Sequence, residues 1–272
     1  MKFYSVLIAI LFLAACNNGT DSTPSAEPIK PLPGIPAPQN ITINIVGIYP
    51  HDTSAYTQGL EIYNGKLYES TGDFESSSLR IIDAKNGKVM QKHMMGSADI
   101  FGEGMTVFKE KIYQLTWKNN LVNVYDVKNI DKPIKTFAWP YEGWGITHND
   151  SSLIISDGSA NIYFVNPDNF KVQRMMQVTD NIGAIKALNE LEYINGYLYA
   201  NIYGRDVIIK IDPSNGHVVG IINLPGIIQQ YANGFAPDEN EVLNGIAWDS
   251  VNKKMYITGK RWPKMFELTL NN

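Results

Sequence analysis

Five times along this chain an apolar strand start follows a polar residue or a tryptophan: Gln58-Gly59-Leu60-Glu61, Glu103-Gly104-Met105-Thr106, Trp144-Gly145-Ile146-Thr147, Asn189-Glu190-Leu191-Glu192 and Asn244-Gly245-Ile246-Ala247. The spacing is close to 45 residues. Each start leads through a turn into a second strand, as in Gly65-Lys66-Leu67-Tyr68 and Gly196-Tyr197-Leu198-Tyr199, so a whole antiparallel unit repeats. A repeat of roughly 40–50 residues carrying several strands is the signature of a propeller blade. The expected fold is all-β, a five-bladed β-propeller. Innermost strands of such a ring converge on one axis, so the unlike residues that open each unit, Gln58, Glu103, Trp144, Asn189 and Asn244, are expected to meet there.

The rest of the chain from Ile41 onward fits this reading. Ile41-Thr42-Ile43-Asn44-Ile45-Val46 alternates at strand period. Asn64-Gly65, Asn86-Gly87, Asn195-Gly196 and Asn215-Gly216 each place a dipeptide suited to positive φ between strand-like runs. Nothing argues for a long helix. The fifth unit runs out of chain after about three strands, and a spare strand, Ile41 to Ile48, precedes the first. Open edges are what such folds must avoid, so Ile41–Ile48 is expected to pair with the strand at Lys264–Thr269 and complete the last blade. A two-sheet sandwich would fit the strand count but not the regular repeat.

The first forty residues divide in two. Lys2, the apolar run Val6 to Leu13 and the small pair Ala14-Ala15 read as a signal peptide over residues 1–15, and the apolar run is too short for a lasting span. Leu13-Ala14-Ala15-Cys16 resembles the lipobox of bacterial lipoproteins, which implies that Cys16 is lipidated and anchors the chain to a membrane. Residues 16–40, with prolines at 24, 28, 31, 33, 36 and 38, read as an extended tether, leaving 41–272 as the propeller domain. In a Gram-negative host, Asn17 rather than aspartate after the cysteine favours the outer over the inner membrane, with the periplasm or the cell surface as the working compartment. Cys16 is the sole cysteine, so stability must come from the core and not from disulfides. A formal charge of −4 and no basic stripe argue against nucleic acid as a partner.

The candidate chemistry lies in carboxylates, amides, one lysine and aromatic rings. The four histidines, His51, His93, His148 and His217, show no metal-ligand spacing, and there is no nucleophile elbow or phosphate loop. Phe101-Gly102-Glu103-Gly104 sets a carboxylate between two glycines, where a backbone can approach a ligand closely. Four residues beyond the aromatic of the second strand stand Trp117, Tyr203 and Lys260, in blades two, four and five. With the axis positions, these supply an acid or base, a fixed cation, side-chain amides and aromatic walls.

These motifs resemble the plant-type glutaminyl-peptide cyclotransferases, also called glutamine cyclotransferases, a family of five-bladed propellers. The resemblance runs from Tyr56 to Glu267, through Tyr56-Thr57-Gln58-Gly59-Leu60, Glu69-Ser70-Thr71-Gly72, Phe101-Gly102-Glu103-Gly104, Gln114-Leu115-Thr116-Trp117, Glu142-Gly143-Trp144-Gly145, Leu188-Asn189-Glu190-Leu191-Glu192, Ala200-Asn201-Ile202-Tyr203 and Thr258-Gly259-Lys260-Arg261-Trp262-Pro263-Lys264. It implies conversion of an N-terminal glutaminyl residue of a peptide or protein to pyroglutamate with release of ammonia. It places Glu103 on the essential glutamate, and Gln58, Trp117, Trp144, Asn189 and Lys260 on other pocket positions. Tyr56 stands where the family commonly has phenylalanine and Tyr203 where it commonly has tryptophan. Phe101 belongs with these aromatic walls. In this scheme Glu103, Lys260 and Asn189 are the catalytic residues, with Glu103 taking the α-amine proton and later giving one to the leaving nitrogen. No metal or organic cofactor is required, and a monomer is the expected state of a closed ring. Two other classes stay open on the residues alone. One is a glycoside hydrolase drawing a carboxylate pair from Glu103, Asp157, Glu190 and Glu192. The other is a non-catalytic binding propeller. The segment from Pro225 to Glu241 reads as a loop between blades four and five that could cover the pocket.

Overall fold

The computed structural model describes residues 31–96 and 98–271. The segments expected to be a signal peptide and, for the most part, the tether, with Cys16, lie outside the described residues. β1 (Gln39–Asn40) and β2 (Thr42–Pro50) precede blade one, which is β3 (Tyr56–Tyr63), β4 (Lys66–Gly72), β5 (Ser78–Ile82) and β6 (Val89–Met94). Blade two is β7 (Gly102–Phe108), β8 (Lys111–Thr116), β9 (Leu121–Asp126) and β10 (Lys135–Ala138); blade three is β11 (Ile146–His148), β12 (Leu153–Ser156), β13 (Asn161–Val165) and β14 (Val172–Gln177). Blade four is β15 (Leu188–Ile194), β16 (Tyr197–Ile202), β17 (Val207–Ile211) and β18 (Val218–Asn223), followed by a short helix α1 (Ile227–Tyr231); β19 (Leu243–Asp249), β20 (Lys254–Gly259) and β21 (Lys264–Asn271) form blade five. The fold is the expected five-bladed propeller.

The ring closes as the strand count requires. β2 pairs antiparallel with β21 in blade five, from Thr42 opposite Asn271 to Pro50 opposite Lys264, and supplies the fourth strand. Ahead of it, Gln39 and Asn40, which composition alone assigns to the tether, pair in parallel with Gly220 and Ile221 on the outer edge of blade four. The N-terminal segment thus laces blade four to blade five before it closes the ring.

Neighbouring sheets pack face to face through the apolar half of each alternating strand. Tyr68, Leu79 and Ile81 of blade one meet Met105, Val107 and Ile112 of blade two, and Leu188, Leu191 and Leu198 of blade four meet Ile154 and Ile162 of blade three. Each such side chain contributes about 1.5–3 kcal/mol when fully buried. The turns divide into two kinds. Asn64-Gly65 and Asn195-Gly196 hold positive φ at both residues, as two-residue hairpins demand. At Asn86-Gly87 and Asn215-Gly216 only the glycine does, contrary to the sequence reading. There the asparagine oxygen instead accepts the N–H two residues on, from Lys88 and His217.

Candidate active site

The innermost strands β3, β7, β15 and β19 share one irregularity at the same repeat position. Their antiparallel register slips between Thr57 and Gly59, Gly102 and Met105, Leu188 and Leu191, and Leu243 and Ile246. A bulge of this kind takes a residue out of the ladder and re-aims its side chain. The residues so displaced include Gln58, Glu103, Asn189 and Asn244. In blade three the strand proper starts at Ile146, and Trp144 precedes it, held by a bond from its N–H to Ser156 O at 3.1 Å. Local backbone geometry therefore turns the five unlike residues toward the axis.

Nine of the predicted positions line one cavity of about 360 Å³: Tyr56, Gln58, Phe101, Glu103, Trp117, Trp144, Asn189, Tyr203 and Lys260. The tenth lining residue is Asn240, from the loop between blades four and five. It accepts from both tyrosines, Tyr56 through its carbonyl at 3.3 Å and Tyr203 through Oδ1 at 2.6 Å. No sequence signal marked this residue beyond its place in a loop expected to reach the pocket. Asn244, expected at the axis, bonds to the lining residue Gln58 but does not itself line the cavity. Its Nδ2 donates to Gln58 Oε1 at 3.2 Å and to Thr57 O at 3.0 Å, fixing which way the Gln58 amide faces.

The glycines around Glu103 have a packing reason. A Cβ at Gly104 would come within 2.7 Å of Trp144 O, and one at Gly102 within 2.8 Å of Thr71 O. They let the chain at Glu103 close on β4 of blade one and on the segment that precedes β11 of blade three, as shown by Gly104 N–H donating to Trp144 O at 2.8 Å. The repeat position of Trp117, Tyr203 and Lys260 is filled by Gly72 in blade one and Gly158 in blade three. A Cβ at Gly72 would meet the Phe101 ring at 2.2 Å, and one at Gly158 the Trp144 ring at 2.5 Å. Each glycine makes room for an aromatic wall supplied by another repeat position.

The walls pack edge to face, with Phe101 5.7 Å from Trp117, Tyr56 6.0 Å from Phe101 and Trp144 5.9 Å from Tyr203 between ring centroids. Lys260 Nζ sits between two rings, 4.7 Å from the centroid of Tyr56 and 5.0 Å from that of Tyr203. Burial pulls its pKa down to about 8, with the Glu103 carboxylate acting against that shift. Burial also pushes the Glu103 carboxyl well above its ordinary range; the Lys260 charge opposes this and Glu142 adds to it. Glu103 is held by its backbone, whose carbonyl accepts the Ser70 hydroxyl. Asn189 Oδ1 is buried with no hydrogen-bond partner among the described residues. Such an acceptor costs about 1–3 kcal/mol, and a ligand N–H can satisfy it.

The other carboxylates considered from sequence are occupied. Glu190 Oε1 accepts from Leu60 N–H at 3.2 Å and Oε2 from Ile246 N–H at 2.9 Å. Glu192 accepts from Trp248 N–H at 2.8 Å. Asp157 accepts from Ser159 and from the Tyr163 hydroxyl at 2.9 Å. None of the three lines the cavity, whose one carboxylate among the described residues is Glu103. The facing acid that sugar hydrolysis needs is not there. Among the described residues no group of three His, Cys, Asp or Glu side chains is placed to hold a metal ion.

Comparison with known proteins agrees with this geometry. Residues 10–270 match the family model described as glutamine cyclotransferase. The chain is 38% identical over 235 residues to a glutaminyl-peptide cyclotransferase of Arabidopsis thaliana, covering 84% of this chain and 71% of that protein. The crystal structure of Myxococcus xanthus glutaminyl cyclase superposes with a TM-score of 0.79 at 33% identity, covering 86% of this chain and 98% of that one. The chain belongs to the glutamine cyclotransferase family.

Proposed function

We propose that this protein cyclises N-terminal glutaminyl residues of peptides to pyroglutamate, releasing ammonia, with Glu103 as the proton-transfer group. The observation that carries the assignment is a single buried carboxylate beside a buried cation in an aromatic-walled cavity. The substrate's α-amine nitrogen attacks the carbon of its own side-chain carboxamide. The nucleophile is already tethered to its target, so the enzyme must mainly hold the bent conformer. Phe101, Trp117, Trp144, Tyr56 and Tyr203 can grip it from several sides.

An α-amine of pKa about 8 is largely protonated near neutrality. A carboxylate made more basic by burial is suited to taking that proton and returning one to the leaving nitrogen. As the C–N bond forms, the carboxamide oxygen gains negative charge. Lys260 and the amides of Gln58 and Asn189 stand around the same cavity to stabilise it, an effect of about 3–4 kcal/mol for a preorganised donor. Breaking of the bond to the leaving nitrogen, protonated as it departs as ammonia, then restores the carbonyl and leaves the lactam.

Ammonia release from a glutaminyl dipeptide, with the product mass checked for the loss, tests the assignment beside Glu103→Gln. Turnover should fall at least about a hundredfold in the variant, the usual size of a general acid–base contribution. A folded wild type that binds peptides but does not turn them over would point to a binding propeller instead. The amino-terminal features support a second proposal, that the enzyme is an exported lipoprotein held at a bacterial membrane through Cys16. Incorporation of labelled fatty acid that persists in Cys16→Ala would refute it.

A further inference from the structure

One carboxylate oxygen beside the cavity serves two of its walls. Glu142 Oε2 accepts the indole N–H of Trp117 at 2.8 Å and that of Trp144 at 3.0 Å. The two tryptophans come from different blades and from different repeat positions, so no backbone ladder sets one against the other. Glu142 sits in the connection between blades two and three, and that connection is itself fixed. Its carbonyl accepts the Trp139 indole N–H at 3.2 Å, and the next residue, Gly143, donates its N–H to Trp117 O at 3.2 Å. Its other oxygen lies 3.8 Å from Lys118 Nζ, which in turn stands 3.9 Å over the Trp117 ring. Glu142 does not line the cavity.

We propose that Glu142 is a positioning residue for the cyclisation, a clamp that holds Trp117 and Trp144 at the angle that grips the bent glutaminyl side chain. The inference rests on the cyclotransferase reading for its kinetic part alone. A bond from an indole N–H to a carboxylate is stronger than one to a neutral acceptor, and sharing one oxygen couples the two rings. Its charge has a second effect, because Glu103 is faced by Lys260, by the Tyr56 hydroxyl and, from this connection, by Glu142. Removing that charge leaves the Lys260 charge less opposed, and Glu103 then gives up its proton at lower pH.

The test compares Glu142→Ala and Glu142→Gln with the wild type. Alanine removes the shared acceptor, so KM for a glutaminyl dipeptide should rise about tenfold with a smaller change in kcat. Glutamine keeps a carbonyl oxygen for the indoles and should recover most of that loss, while the acid limb of its kcat/KM profile moves to lower pH. Near-ultraviolet circular dichroism of the substrate-free protein reads the same clamp without turnover. The indole bands should weaken in the alanine variant and persist in the glutamine variant, even if the enzyme's substrate were something else. An alanine variant with wild-type KM and wild-type indole bands overturns the proposal. So does a glutamine variant no better than alanine in both readouts. If the alanine variant does not fold, the dichroism and pH profile of the glutamine variant decide: weakened bands or an unmoved acid limb count against the clamp.

Discussion

Replacing Lys260 by methionine removes the cavity's cation and keeps most of its volume. The side chain is 3% exposed, and its pKa falls from the ordinary 10.5 to about 8. At about 1.4 kcal/mol per pH unit, the folded protein disfavours the charged form by about 3 kcal/mol at neutral pH. Contacts with the Tyr56 and Tyr203 rings return about 0.5–2 kcal/mol of that. Lys260→Met should therefore stabilise the fold by about 1–3 kcal/mol near pH 7, which is about 2–10 °C in Tm for a domain of this size.

The sign of the pH dependence follows from the same shift. Between about pH 8 and 10.5 the unfolded chain holds a proton on this lysine that the folded chain has released, so wild-type stability gains with rising pH in that window. The variant lacks this gain, and the gap between the two should close as pH rises. Urea unfolding of both proteins at about pH 7 and about pH 10 measures it, while ammonia release should drop at least about a hundredfold in the variant. A variant less stable than wild type at neutral pH, or a gap unchanged between the two pH values, would refute the reasoning.

Two further substitutions test the frame around the site. His51 Nε2 lies 2.9 Å from Glu69 Oε1, and its Nδ1 meets Trp262 O at 2.7 Å, next to the segment that carries Lys260. Burial opposes the charged imidazole, yet the Glu69 carboxylate and these bonds raise its pKa above the ordinary 6.5. The stability this pair adds is full below about pH 6.5 and is lost as pH rises through the raised folded pKa, so His51→Gln should be more destabilising in urea near pH 6 than near pH 9. Gly158→Ala places a side chain at φ +77° and 2.5 Å from the Trp144 ring; it should cost about 1–2 kcal/mol from the left-handed backbone alone and raise KM by displacing the indole, which unfolding and steady-state kinetics would show together.

The repeat made most of this legible. Strand starts about 45 residues apart gave the blade count, and the missing last strand gave the ring closure at β2 and β21. The pocket followed because equivalent positions of a closed ring share an axis, so Glu103 and Asn189 could be placed together without knowing a single distance. What escaped were contacts outside the repeat. Asn240 reaches the cavity from an irregular connection whose path no period describes. Glu142 was visible as part of a motif, but its link to two indoles depends on where the connection folds. The packing of the glycines beside Glu103 was not legible, because close packing between blades and close approach to a ligand leave the same mark in a sequence.

Four buried carboxylates crowd the axis, Glu61, Glu103, Glu190 and Glu192, and burial raises the pKa of all four. A perturbed pKa therefore does not single out the chemical one. The destination of their oxygens does. The innermost strand of each blade has one edge with no partner strand, and its N–H groups need acceptors. Glu61 takes Val107 N–H at 3.0 Å, Glu190 takes those of Leu60 and Ile246, and Glu192 takes that of Trp248, each across to another blade. These three carboxylates stand in for the strand the axis has no room for. Glu103 stands at the repeat position of Asn189, one residue before that of Glu190; among the described residues no hydrogen bond reaches its carboxylate, and its neighbours are a lysine and aromatic rings. A ring that must satisfy its inner edges with acids can thus leave one acid free for the cavity, by setting it one residue nearer the start of its strand.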